Sequence, residues 1–276
     1  MMNFKERCLA LRKKGYSITE IMRVTGRAKS SIYLHVKDIP LSAKRIQQYR
    51  IDSGKRIRKY ALARKGRSVR PVRPFTAWSA DRVLLIAHFL FDGEISRVRC
   101  AYNNRSEALI TRVERLMRAE YDFEPKRYQN PLTGVFRISY HNVVLGAYIQ
   151  KKSIELLRSI KGMPLDFKRE FVRAFFDDEG CMDFRPKTNH RRVRGYQKEV
   201  HVLKIVRELL EEFSIDSHIE MPNEVVIVGK DNLQRFEQEI NFSPGVYMNG
   251  NRSNSRWKKH MEKRVLLRRA IESFKS

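Results

Sequence analysis

The chain has 276 residues, and its 57 Lys and Arg against 31 Asp and Glu leave a net charge of +26 at neutral pH. That excess is more than solubility requires and points to a polyanionic partner, bound through phosphate neutralisation and counterion release. No apolar run approaches the ~20 residues of a membrane span, and no nucleotide-cofactor, serine-hydrolase or zinc-protease motif is present.

Phe4, Cys8 and Leu11 recur at helical spacing, and Gly15 stops that helix. Ser17-Ile18-Thr19-Glu20 then has the form of a capping box, with Ile18, Ile21 and Met22 on the buried face of a second helix. Thr25-Gly26 makes a turn, and a third helix runs from Lys29 to Val36 before Pro40 ends it. Residues 1–42 so arranged resemble a helix-turn-helix module, whose last helix enters the major groove. That resemblance makes Lys29, Ser30, Ser31 and Tyr33 the residues facing DNA.

From Ser42 to Pro74 twelve Lys or Arg stand against one acid, Asp52. We read 43–74 as a basic linker, partly helical, that lies along DNA phosphate.

The remainder contains an internal repeat. Val83 to Gly93 is an apolar helix ending in Asp92 and a glycine, and Phe171 to Gly180 is another, ending in Glu179 and a glycine. A strand-like stretch and an amphipathic helix follow each, with Val113, Leu116 and Met117 answering Val206, Leu209 and Leu210. Next, Val135 to Asn142 answers Val225 to Asn232, so the acid-to-Asn spacing is 142 − 92 = 50 and 232 − 179 = 53. Ser79 and Asp166 are the expected N-caps of the two apolar helices, and Ala87 and Ala174 are the small residues expected where they cross.

These two helices, with their repeated bodies, resemble the LAGLIDADG motif over Phe75 to Phe242. The chain is similar to a monomeric, two-motif LAGLIDADG homing endonuclease with an N-terminal helix-turn-helix. The resemblance implies an α+β fold: two pseudo-symmetric αββαββ halves, 75–165 and 166–276, forming a DNA-binding saddle. It further implies site-specific cleavage of double-stranded DNA, with Mg²⁺ (or Mn²⁺) held by Asp92 and Glu179, one acid per strand cut. Oxygen ligands suit Mg²⁺, and a carboxylate at a helix C-terminus opposes the macrodipole, a poor choice for stability alone. Asp177, Asp178 and Glu94 are neighbours of lower rank, Asp178 because the motif usually carries a small residue there. Family members place a Lys or Gln near the scissile phosphate, for which Lys230 and Lys151 are the candidates; Tyr140 is the first-copy counterpart of Lys230.

Strand alternation then selects the DNA-facing side chains. They are Arg97 and Arg99, Lys126 and Tyr128, and Arg137 and Ser139 in the first half, and Arg192, Arg194 and Tyr196 in the second. His88 and Phe91 are bulkier than usual for the motif, the first hairpin is short, and 243–257 reads as a loop before a basic C-terminal helix. Cys8, Cys100 and Cys181 have no zinc spacing and read as buried apolar residues in a reducing compartment; with no signal-peptide core, a cytoplasmic location is expected. Two alternatives stay open: a regulator that keeps this fold and binds DNA without cutting, and a maturase using it on RNA.

Overall fold

The protein, in a computed structural model, is described over residues 2–64, 72–96, 99–248 and 261–275. Arg97 and most of the loop expected over 243–257 lie outside the described residues. The chain divides into two compact units, Met1–Ser68 and Val69–Ser276.

In the first unit α1 (Phe4–Lys13), α2 (Ile18–Thr25) and α3 (Lys29–Val36) close around Cys8, Ile21, Ile32 and Val36, all fully buried. Asn3 with Glu6 and Ser17 with Glu20 form capping boxes. Gly26, at φ 66°, makes the left-handed turn into α3, a conformation that costs glycine nothing. Within the stretch read as a partly helical linker, α4 (Ala43–Arg64) is one 22-residue helix, and its first turns pack on this unit. Arg45 pairs with Glu20 at 2.6 Å, and the Tyr49 hydroxyl donates to the same carboxylate at 2.8 Å. The Ser17 backbone N–H, then Tyr49 and Arg45, hold the Glu20 carboxyl down at about 2.

The second unit repeats one pattern. Its first half is α5 (Ala80–Phe91), β1 (Gly93–Ser96), β2 (Arg99–Asn104), α6 (Glu107–Tyr121), β3 (Lys126–Gln129), β4 (Phe136–Tyr140) and α7 (Val143–Ser159). The second half is α8 (Leu165–Asp178), β5 (Gly180–Arg185), β6 (His190–Tyr196), α9 (Val200–Glu212), β7 (His218–Glu220), β8 (Glu224–Val228) and α10 (Lys230–Glu239), followed by α11 (Lys263–Glu272). Both sheets are antiparallel and share one topology, β1-β2-β4-β3 and β5-β6-β8-β7. The α+β class and the duplicated αββαββ unit are as the sequence led us to expect.

Register fixes which residues correspond, and it corrects the sequence alignment. Gly93 pairs with Tyr102 and Tyr102 with Ile138; Gly180 pairs with Gly195 and Gly195 with Val225. Tyr102 therefore answers Gly195, and Ile138, not Val135, answers Val225. Asn142 caps α7 as Gly229 caps α10, so the repeat distances from acid to cap are 142 − 92 = 50 and 229 − 179 = 50. Lys230 thereby corresponds to Val143 rather than Tyr140. The second hairpin is six residues longer, from 195 − 180 = 15 against 102 − 93 = 9, and the return path to the inner strand is six shorter. An insertion balanced by a deletion is invisible to end-to-end spacing.

Helices α5 and α8 pack along each other at the centre of the unit, with Ala87 and Ala174 fully buried. Ser79 caps α5, its Oγ accepting from the Arg82 N–H at 3.3 Å. Asp166 does not cap α8. Pro164 holds that position, and Asp166 lies in the first turn paired with Arg169, where its charge still faces the positive helix end. Cys8 and Cys100 are buried, but Cys181 is only half-buried, because alternation along β5 sets it on the polar face beside Asp183 and Arg185. Among the described residues no helix is long and apolar enough to cross a membrane.

Candidate active centre at the paired helix ends

Asp92 and Glu179 are the C-cap residues of α5 and α8. Their N–H groups still donate within the helices, to His88 O at 3.1 Å and Phe175 O at 2.8 Å. Their carbonyls already accept from the neighbouring strand, from Asn103 N at 3.3 Å and Tyr196 N at 3.1 Å. The chain thus turns from helix to strand in one residue, and the next is glycine in both halves. A Cβ at Gly93 would collide with the Phe89 carbonyl, and one at Gly180 with the Phe176 carbonyl. Close backbone approach, not a positive φ, requires glycine here.

Burial, then the Asp178 carboxylate, pushes the Asp92 carboxyl up to about 8, against the opposing pull of Asn104 and Lys263. Burial, then Asp92 and Asp178, pushes Glu179 up to about 8 as well, again opposed by Lys263. Asp92 is the charge that weighs most on Glu179, so the two helix ends form one electrostatic site. Asn104 Nδ2 donates to Asp92 Oδ2 at 2.7 Å. The Glu179 carboxylate has no hydrogen-bond partner among the described residues.

Three groups that sequence reasoning ranked low or missed complete the site. Asp178 lies with its side chain fully buried between the helices, Oδ2 at 2.9 Å from His88 Nδ1 and Oδ1 accepting from the Tyr102 hydroxyl at 2.6 Å. Burial drives His88 down to about 4 and Asp178 well above the carboxylate range. Asp177 faces the other way and accepts from Ser243 N at 2.8 Å and from Arg112 at 3.3 Å. Lys263, at the start of α11, is buried and donates to the Phe176 and Asp177 carbonyls at 3.1 and 2.7 Å. Its ammonium satisfies last-turn carbonyls of α8 and, among the described residues, is the cation whose charge acts on Asp92, Asp178 and Glu179 alike. Nothing in the local sequence marks Lys263, 263 − 179 = 84 residues past Glu179.

The other candidates fall elsewhere. Lys230 opens α10 beyond Val228, which pairs with Arg192, whereas the strand next to Glu179 is at Val225 and Gly195. Lys151 is exposed on α7. Neither contacts the acids among the described residues. Glu94 bridges Arg99 at 3.0 Å and Arg137 at 2.7 Å on the sheet face.

Arg99, Lys126, Tyr128, Arg137 and Ser139 share the polar face of the first sheet, as the register Lys126↔Ser139 and Tyr128↔Arg137 requires. Ser139 is buried beneath Arg137, whose Nε donates to it at 3.2 Å, so its hydroxyl does not reach out as expected. Arg192, Arg194 and Tyr196 share the polar face of the second sheet, where acids already hold the arginines. Asp183 lies 3.1 Å from Arg192 and 2.7 Å from Arg185, and Glu224 takes Arg194 Nε at 2.7 Å. In the first unit Lys29, Ser30, Ser31 and Tyr33 are all exposed on α3.

Carboxylates with open oxygens, raised by burial and by one another, are the donor set a hard divalent cation suits. Among the described residues no three His, Cys, Asp or Glu side chains converge as a complete cage. Such a centre would therefore take further oxygens from water or phosphate, as Mg²⁺ sites commonly do.

Residues 166–241 match the family model for the LAGLIDADG-like domain, and the first half repeats its strand order and helix-end acid. Residues 166–241 therefore form a LAGLIDADG-like domain, and the first half has the same topology. Among solved structures the chain is similar to mesophilic variants of the homing endonuclease I-DmoI, at 18% identity, covering 60% of this chain and 94% of that one, with a TM-score of 0.47. It is similar to I-DmoI in complex with DNA and Mn, at 19% identity, 58% and 96% coverage, and a TM-score of 0.46. It is also similar to the N-terminal LAGLIDADG domain of DUF199/WhiA, at 18% identity, 62% and 88% coverage, and a TM-score of 0.46. Likenesses this loose do not fix function. No curated protein matches the chain.

Proposed function

We propose that the protein is a site-specific, divalent-metal-dependent DNA endonuclease that acts as a monomer, with Mg²⁺ as its metal and Mn²⁺ as a substitute. The reading rests on Asp92 and Glu179: equivalent C-caps of two packed helices, sharing one electrostatic site and each forced out of its helix by a glycine. A pair serving only stability would not set two carboxyls, each costly to ionise, against the negative helix ends. Asp92 and Glu179 would hold the metal, Asn104 would orient the Asp92 carboxylate, and Lys263 would offset the buried negative charge and serve as the accessory basic residue. A metal there would act as Lewis acid and activate water for phosphodiester hydrolysis. The polar sheet faces would bind duplex DNA as a saddle, through Arg99, Lys126, Tyr128 and Arg137 on one side and Arg192, Arg194 and Tyr196 on the other. Helix α3 would dock in a major groove through Lys29, Ser30, Ser31 and Tyr33.

One observation favours a second reading, a DNA-binding regulator without cleavage. Burial pushes both acids up to about 8, an arrangement that a protein with no metal to bind would tolerate. Cleavage of supercoiled plasmids bearing a randomised-site library separates the two. Metal-dependent linear product from wild type, lost in Asp92→Asn/Glu179→Gln while binding survives, is the expected result. Salt-sensitive binding with no cutting in Mg²⁺ or Mn²⁺ would leave the regulator.

A further inference from the structure

The two sides of the helix pair differ at three corresponding positions. Counting back from the acids, Asp178 answers Phe91 and His88 answers Phe175, while register makes Tyr102 answer Gly195. On one side Phe91 packs edge-on against Phe175 at 5.2 Å between ring centroids, and the Phe175 ring fills the space a Cβ at Gly195 would need. On the other, the smaller His88 leaves room for Tyr102, 5.6 Å away edge-on, and the two hold Asp178. One side is an aromatic stack; the other is a buried polar clamp.

The clamp reaches the candidate centre on one half only. Asn104 Nδ2 donates to Asp92 Oδ2 at 2.7 Å and lies 3.4 Å from Asp178 Oδ1 and 3.3 Å from the Tyr102 hydroxyl oxygen. Its own Oδ1 accepts from Ser106 N at 2.8 Å, which fixes the direction in which the amide presents its hydrogens. Gln197 occupies the corresponding place after β6, and its Oε1 accepts from Lys198 N at 2.8 Å. Gln197 makes no bond to Glu179 among the described residues. Asp92 is therefore oriented by a four-residue network, whereas among the described residues no such network surrounds Glu179.

We infer that Asp178 is a positioning residue for Asp92, acting through Asn104 and held by His88 and Tyr102, and that the two strand-cleaving centres are consequently unequal. The inference rests on the nuclease reading above. Asp178 belongs to the second half, on α8, while its partners on α5 and β2 all belong to the first. The Asp92 centre is thus set only when the two halves are docked; the Glu179 centre lacks that requirement.

Strand-labelled duplex carrying the cleavage site, cut by wild type, Asp178→Asn and Tyr102→Phe in Mg²⁺, tests this. Asparagine keeps the shape of Asp178 and the acceptor for Tyr102, so the helix pair is retained; a melting curve and a binding isotherm check that. Wild type should cut both strands. Asp178→Asn should slow one strand, the same at every site, by on the order of 10- to 100-fold, the range for a misplaced reacting group. The other strand should change little, so that nicked duplex accumulates. Tyr102→Phe should bias the same strand in the same direction. A purely structural role would slow both strands alike. Equal slowing of both strands, or no change in either, with wild type active, would overturn this inference and leave the nuclease reading standing. A wild type that binds but cuts neither strand would overturn both.

Discussion

Asp178 holds the place in α8 that Phe91 holds in α5, yet one reaches across the helix pair to a histidine, 2.9 Å away, and the other to a phenylalanine. Both contacts bury their partners. They differ in what the partner must be: a ring can slide against a ring, whereas a buried carboxyl must keep its hydrogen-bond partner.

That difference predicts unequal tolerance. His88→Ala should destabilise the fold by about 2–4 kcal/mol, because it strands a buried carboxyl whose remaining partners cannot satisfy both oxygens. The combined change His88→Phe, Tyr102→Gly, Asp178→Phe reproduces the aromatic side and should restore most of that loss. Chemical denaturation of the two variants checks the order.

Titration of the helix-end acids gives a pH dependence with a defined sign. Asp92 and Glu179 keep their protons up to about 8 when folded but lose them near 4 when unfolded. Without metal, stability should therefore fall as pH rises from about 4 to about 8, since the folded state binds more protons there. Mg²⁺ should raise the melting temperature more at the upper end of that window than at the lower. In Asp92→Asn/Glu179→Gln the Mg²⁺ effect should largely vanish and the slope should lessen, leaving the part that buried Asp178 contributes.

Gly93→Ala and Gly180→Ala should each cost roughly 3 kcal/mol or more, because the obstruction is a carbonyl of the preceding helix rather than a movable side chain. Soluble expression and thermal melts suffice to see it. Gly54, around which a Cβ meets nothing, is the control and should accept alanine without loss.

Lys263→Met removes the buried cation but keeps the length of the side chain. The Asp92 and Glu179 carboxyls should titrate still higher, read by carboxyl ¹³C shifts, and the destabilisation should grow with pH as those groups ionise. A variant as stable as wild type at both ends of the range would show that the ammonium does not act on the acids.

On the sheet faces the acids restrain the arginines. Freed of Glu94, as in Glu94→Gln, Arg99 and Arg137 should bind DNA with a log-log salt slope steeper by roughly one to two, the contribution of one or two added phosphate contacts. Lys29→Ala in α3 should reduce the slope by about one. Fluorescence anisotropy across a salt series measures both.

Much of the architecture was legible because it is periodic. The apolar stripes of α5 and α8, the glycine after each acid and the capping box at Ser17 are local patterns, and the structure has them where they were read; the second capping box, at Asn3, was not read. Ser79 was legible as a cap; Asp166 was misread, since Pro164 bends the chain into α8 and leaves no side-chain cap there. The strand correspondence failed by three residues because the hairpin insertion and the later deletion cancel, and a valine-rich strand offers no internal landmark. The candidate acids were legible as a pair, but their surroundings were not. His88 looked merely bulky, although it is half of a contact whose other half, Asp178, lies 90 residues away. Lys263 had no local signal at all, being one lysine in a basic stretch until the fold buries it. Lys230 and Lys151 were chosen on sequence context and neither reaches the acids.

Lys263 also carries a consequence for synthesis on the ribosome. Glu179 is translated 84 residues before that lysine and Asp92 171 residues before it, so α5 and α8 are both made while its ammonium is still missing. Until α11 is made, the raised acids at the helix ends lack that opposing charge. The arrival of α11 then brings the counter-charge, with its lysine on the last-turn carbonyls of α8.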